Sequence, residues 1–232
     1  MSKFRQTVFD DLEGVYRAEK ELTGETAPVG AYETARLTRA AFSIVEGALV
    51  QGAPVVKPDG SHAFEGKGLK QVLDPVAKDL DRFMLYAIGR SAQELSQQGR
   101  ERLFTEREIR AMKLLETPAR QQAFDDWLTF NQKVLDFAEA KGLINAQTRA
   151  LWKRTQYLPF YRSGKRKGKY RKGLEGDFHG IRRLTGGTQN LNDMLGNLIQ
   201  NTGMLMTEAL KNEARLKVAD LAGQEGGGKF LT

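Results

Sequence analysis

TPARQQAFDDWLTFNQKVLDFAEAKGL, residues 117–143, is the stretch from which the architecture follows. Thr117-Pro118 starts a helix, and Phe124, Trp127, Leu128, Val134, Leu135 and Ala138 recur at helical spacing to form an apolar stripe. Lys141-Gly142-Leu143 closes it: Gly142 is free to adopt a left-handed cap, and Leu143 can fold back on the last turn. Working outward, similar stripes appear on both sides. Phe4, Val8, Leu12, Val15, Tyr16 and Leu22 mark a first helix ending near Gly24, and Tyr32 to Leu49 mark a second over about Gly30 to Gln51. Asp74-Pro75 reads as the cap and first residue of a third, carrying Val76, Leu80, Phe83, Met84, Ala87, Ile88 and Leu95. Thr105-Glu106-Arg107-Glu108 is a capping box opening a short helix with Ile109, Met112 and Leu115. Asn145 caps another that ends before Pro159, and a last long helix is expected from Thr188 to about Leu221. Between the second and third, Val55-Val56-Lys57-Pro58-Asp59-Gly60-Ser61-His62-Ala63-Phe64 places a Pro-Asp-Gly turn between two β-prone runs, the pattern of a small hairpin near residues 55–64. The expected fold is mainly α: an irregular bundle of six or seven helices with one small β-hairpin. Residues 1–222 form a single helical domain in this reading, with a basic loop at 162–187 and a flexible tail at 223–232.

Composition narrows the chemistry. At 232 residues and 40% apolar the chain can bury one sizeable core. It has no cysteine, which excludes disulfides, a thiol nucleophile and thiolate metal sites. Two histidines, His62 and His179, are too few for a histidine-built metal centre. No cofactor or metal is expected. The longest charge-free stretch, Met194 to Thr207, is shorter than the ~18 residues a membrane span needs. The N-terminal MSKFRQTVFDD lacks the apolar centre of a secretory signal, so a soluble, cytoplasmically made chain without a membrane span is expected.

The net charge of +7 is unevenly placed. Nine basic residues, Arg162, Lys165, Arg166, Lys167, Lys169, Arg171, Lys172, Arg182 and Arg183, lie within a segment holding only two acids, Glu175 and Asp177. The rest of the chain is formally neutral, with 27 residues of each sign. Tyr170, inside the run, offers a ring for stacking on a base. Two readings stand: contact with nucleic acid or another polyanion, or a solvated loop. Neither GxxxxGK[ST] nor GxGxxG occurs in strand–turn–helix context, so nucleotide hydrolysis has no support. Asp10-Asp11 with Glu13, and Asp125-Asp126, are adjacent acids on helices whose side chains diverge, a solvated face rather than an acid–base pair. Asp177 and His179 give no recognisable ligand set, and His62 reads as a half-exposed strand residue. Trp127, Phe130 and Phe137, like Trp152, Tyr157, Phe160 and Tyr161, read as core packing rather than a ligand pocket. Asn190, Asn192, Asn197, Gln200, Asn201 and Asn212 make the last helix rich in amides, facing either a partner (another copy of the chain among them) or water.

The order of several short motifs is familiar. Tyr86-Ala87-Ile88-Gly89-Arg90-Ser91, Glu101-Arg102-Leu103-Phe104-Thr105, Phe130-Asn131-Gln132-Lys133-Val134-Leu135, Tyr157-Leu158-Pro159-Phe160-Tyr161-Arg162, Arg183-Leu184-Thr185-Gly186-Gly187-Thr188 and Asn197-Leu198-Ile199-Gln200-Asn201-Thr202 succeed one another. This succession resembles a helical domain of the large polyvalent proteins of bacteriophages, prophages and conjugative elements, also seen in very large phage virion or ejected proteins. The resemblance implies a non-enzymatic accessory module located in a phage virion or the host-cell cytoplasm. DNA or RNA and other phage or host proteins would be its partners, and it transfers no catalytic residue. A structural virion subunit acting through helix packing, without DNA binding, is the alternative.

Overall fold

The computed structural model describes residues 11–101, 103–152 and 194–229. The architecture is mainly helical with one small hairpin, as the periodicities predict. Helix α1 (Glu13–Thr23) ends at Gly24, whose N–H donates to the Lys20 carbonyl at 3.0 Å. The single helix expected over 30–51 is divided into α2 (Ala31–Leu37) and α3 (Ala41–Val50) by a 3₁₀ turn at Thr38–Ala40. The Thr38 hydroxyl donates to the Ala35 carbonyl at 2.7 Å, the kind of back-bonding that bends a helix. At the start of α2, the buried Glu19 carboxylate accepts the backbone N–H groups of Tyr32 at 2.8 Å and Ala27 at 3.3 Å.

Strands β1 (Ala53–Val56) and β2 (His62–Glu65) pair antiparallel, with Ala53 opposite Glu65 and Val56 opposite His62. The turn closes through Gly60 N–H to the Lys57 carbonyl at 2.9 Å, and the Asp59 carboxylate accepts the Ser61 N–H at 2.9 Å. Helix α4 (Leu69–Leu73) leads into a 3₁₀ turn at Asp74–Asp79 and then α5 (Leu80–Gln97). The α-helix expected to open at Asp74-Pro75 therefore begins at Leu80. Pro75 initiates the tighter turn, and the Asp74 carboxylate pairs with Lys70 at 3.0 Å.

Thr105 caps α6 (Glu106–Lys113) through the expected box: its hydroxyl accepts Glu108 N–H at 3.3 Å, and Glu108 accepts Thr105 N–H at 2.7 Å. The Thr105 N–H, and then the Thr105 hydroxyl donating to the same carboxylate at 2.7 Å, hold the Glu108 carboxyl below its ordinary pKa. Thr117 caps α7 (Pro118–Ala140), and α7 ends as expected: Gly142 has φ +71°, and Leu143 N–H reaches back to the Ala138 carbonyl at 2.9 Å. The Asn145 side chain accepts Thr148 N–H at 2.8 Å to start α8 (Ala146–Trp152), and α9 spans Met194–Gly223. Of the glycine-rich tail, residues 227–229 form a 3₁₀ turn, and Gly226 lies beside Leu22 of α1.

Helix α7 sits at the centre. Its Phe124, Trp127, Phe130, Val134 and Phe137 are all at most 2% exposed. They join one cluster with Phe83, Tyr86 and Ala87 of α5, Ala53 of β1, and Leu198, Leu205, Met206 and Leu210 of α9. Each large side chain buried there is worth about 1.5–3 kcal/mol. A smaller cluster of Val15, Ala18, Ala31 and Leu221 joins α1 and α2 to the end of α9.

Candidate functional site

The basic residues singled out from the sequence, Arg162, Lys165, Arg166, Lys167, Lys169, Tyr170, Arg171, Lys172, Arg182 and Arg183, lie outside the described residues. Asp177, His179, Tyr157, Phe160 and Tyr161 do so as well. The described residues carry 22 Lys and Arg against 25 Asp and Glu, a net charge of −3.

Two polar constellations stand out within the described part. The first is a groove of about 740 Å³ between the C-terminal turns of α5 and the outer face of α6. Its geometry starts at Gly89, where the helices approach so closely that a Cβ would lie 2.7 Å from the Met112 Cβ. Earlier on α5, an Arg90 guanidinium nitrogen donates to the Tyr86 hydroxyl at 2.6 Å, and that hydroxyl donates to Glu116, which follows α6, at 3.3 Å. The Arg90 guanidinium also lies 5.3 Å from the Phe124 ring centre, a cation–π contact. Burial pushes the Tyr86 phenol above its ordinary pKa. In the groove itself, Gln93, Ser96 and Gln97 of α5 form one wall, and Glu106, Arg107, Arg110 and Lys113 line the other with Leu114. Ile109 is the buried floor, whereas Leu114 is 85% exposed. The surface is cationic, amide-rich and anchored by one apolar side chain.

The second constellation is internal. Lys141, with a side chain only 3% exposed, donates to Glu213 at 2.9 Å and to the Gly60 carbonyl at 3.1 Å. Its ammonium lies 5.8 Å from the Phe137 ring centre. Lys217 meets the same Glu213 at 3.2 Å and also bonds the Val29 carbonyl and the Thr34 hydroxyl. Asn212 donates its amide to the Lys141 carbonyl at 3.1 Å. His62 is half-buried on β2, as the hairpin reading predicts. Its pKa is lowered first by burial and then by the Lys141 charge, with Glu213 acting in the opposite sense. Both ammonium groups are committed to partners inside the fold, so the network fastens the hairpin turn, the end of α7 and the segment before α2 onto α9.

The remaining readings resolve individually. Trp127, Phe130 and Phe137 are core. Asp126 bonds Lys67 at 2.7 Å and Asp125 is exposed, consistent with a solvated acidic face. Glu13 departs from that reading, being buried and paired with Arg17 at 3.1 Å. On α9, Asn197 and Asn201 are at most 2% exposed, so these two amides face the interior instead of water or a partner. Gln200 is exposed, and Asn190 and Asn192 lie outside the described residues. Among the described residues, no group of three or more His, Asp or Glu is placed to hold a metal ion, and no helix is long and apolar enough to cross a membrane.

The groove was not legible as a site. Its one sequence signal is the spacing of Arg107, Arg110, Lys113 and Leu114 on a capped helix, which alone reads as a solvated face. Comparison with protein-family models, curated proteins and solved structures finds no match for the chain.

Proposed function

We propose that the chain is a non-enzymatic accessory or interaction module of a phage or mobile-element protein, acting in the virion or the host cytoplasm, and that it contacts nucleic acid or another polyanion through residues 162–183. The charge partition carries this reading: the described scaffold is net −3, so the positive excess of the whole chain resides in the remaining residues. A concentrated cationic segment attached to a mildly acidic scaffold directs a phosphate backbone to one place and repels it elsewhere.

The test is DNA binding across a salt series, with duplex and single-stranded oligonucleotides. Affinity should fall steeply between about 50 and 200 mM salt, and changing Lys165, Arg166, Lys167 and Lys169 to Gln should lower the log–log slope by roughly 3–4. Binding indifferent to salt and to these substitutions removes the proposal. The second reading, a structural assembly subunit, draws on Phe42 of α3, which is 80% exposed, and Val50 two turns further along the same helix, 48% exposed. A stable oligomer in light scattering, with no DNA affinity, would favour it.

A further inference from the structure

We propose that the groove between α5 and α6 is a docking site for an acidic amphipathic helix of a partner protein, a surface separate from residues 162–183. Charge complementarity selects the sign of the occupant. Arg107, Arg110 and Lys113 converge on a groove whose lining contains a single carboxylate, Glu106. Arg107 and Lys113 make no ion pair among the described residues. Arg110 meets Glu106 at 3.4 Å, with both side chains more than 70% exposed, so water screens that pair and an incoming carboxylate can replace it.

The apolar component selects the class. Leu114, 85% exposed, is the most exposed large hydrophobic side chain among the described residues, and it lines the cavity together with Ile109. A partner helix carrying two leucines one turn apart, flanked by glutamates, would set its apolar stripe on Leu114. Its carboxylates would then reach the arginines and Lys113. Gln93 and Gln97 supply hydrogen bonds on the opposite wall, where the Ser96 hydroxyl donates to Glu106 at 3.5 Å. A nucleic-acid strand fits less well. The lining has no aromatic ring on which a base could stack, and Leu114 offers nothing to a phosphate. The chain's own segment 162–183 has the same sign as the groove and is a poor occupant.

The experiment uses the full chain with Lys165, Arg166, Lys167 and Lys169 changed to Gln, so that the other cationic segment does not capture the probe. The probe is a fluorescent Glu/Ala helical peptide with two leucines spaced one turn apart. Its binding should be weakened about tenfold or more by Arg107→Glu with Arg110→Glu, and about tenfold by Leu114→Ser or by replacing the peptide leucines with serine. In the otherwise unaltered chain, the Leu114 methyl resonances should move on titration. Circular dichroism checks that the variants fold, and the peptide-side and methyl measurements stand even where a variant does not. Affinity unchanged by the groove variants, stationary Leu114 methyls, or an oligothymidylate that binds as tightly and is weakened by the same substitutions would each overturn the proposal.

Discussion

Lys141 shows how one side chain can be both costly and indispensable. A lysine side chain only 3% exposed is tolerated because Glu213, the Gly60 carbonyl and the Phe137 ring replace the hydration of its ammonium group. Glu213 in turn answers two cations, Lys141 and Lys217. Changing Glu213 to Leu leaves two ammonium groups facing each other and should cost about 3–5 kcal/mol in urea unfolding. Adding Lys141→Met to that variant should restore most of the loss, because the uncompensated buried charge is then gone while Lys217 keeps its bonds to Val29 and Thr34. Strictly additive losses would mean that the ion pair is not the source of the cost. Nothing local in the sequence pairs these residues, which lie 72 positions apart; only the packing of α9 against the end of α7 brings them together.

At the level of elements, the ends of the helices were the readable part. Thr105 with Glu108, Thr117-Pro118, Lys141-Gly142-Leu143 and Asn145 all act where their chemistry says they should, because capping depends on neighbours within a few residues. The break at Thr38–Ala40 and the 3₁₀ turn at Asp74–Asp79 were not readable, since an apolar spacing that continues through them is compatible with either backbone. The groove was hidden for a different reason: it exists only once α5 and α6 are packed, and their close approach at Gly89 leaves no room for a side chain there. Gly89→Val would drive a branched side chain into Met112 and the Lys113 backbone. It should cost about 1–3 kcal/mol in thermal unfolding, with hydrogen-exchange protection lost first at 106–113. Unchanged protection there would show that the close approach does not hold α6 in place.

For the whole molecule, α9 is the closing member. It packs against α1, α2, α3 and α7, contributing Leu198, Leu205, Met206 and Leu210 to the main core and Leu221 to the small one. A chain ended after Trp152 should therefore lack a cooperative thermal transition and bind a hydrophobic dye, since α7 would lose one of its principal packing partners. A sharp transition in the truncated chain would identify the preceding helices as a self-sufficient unit. The charge distribution also belongs to this scale. Twenty-five acidic and 22 basic side chains make the described scaffold net −3, so the positive excess of the whole chain lies in its remaining residues.

The closure by α9 also sets a timetable for biosynthesis. A ribosome adding about 5–20 residues per second needs on the order of 4–16 seconds to travel from the end of α7 to the end of α9. Until α9 is made, the part of α7 that α9 packs against stays uncovered by it on the nascent polypeptide.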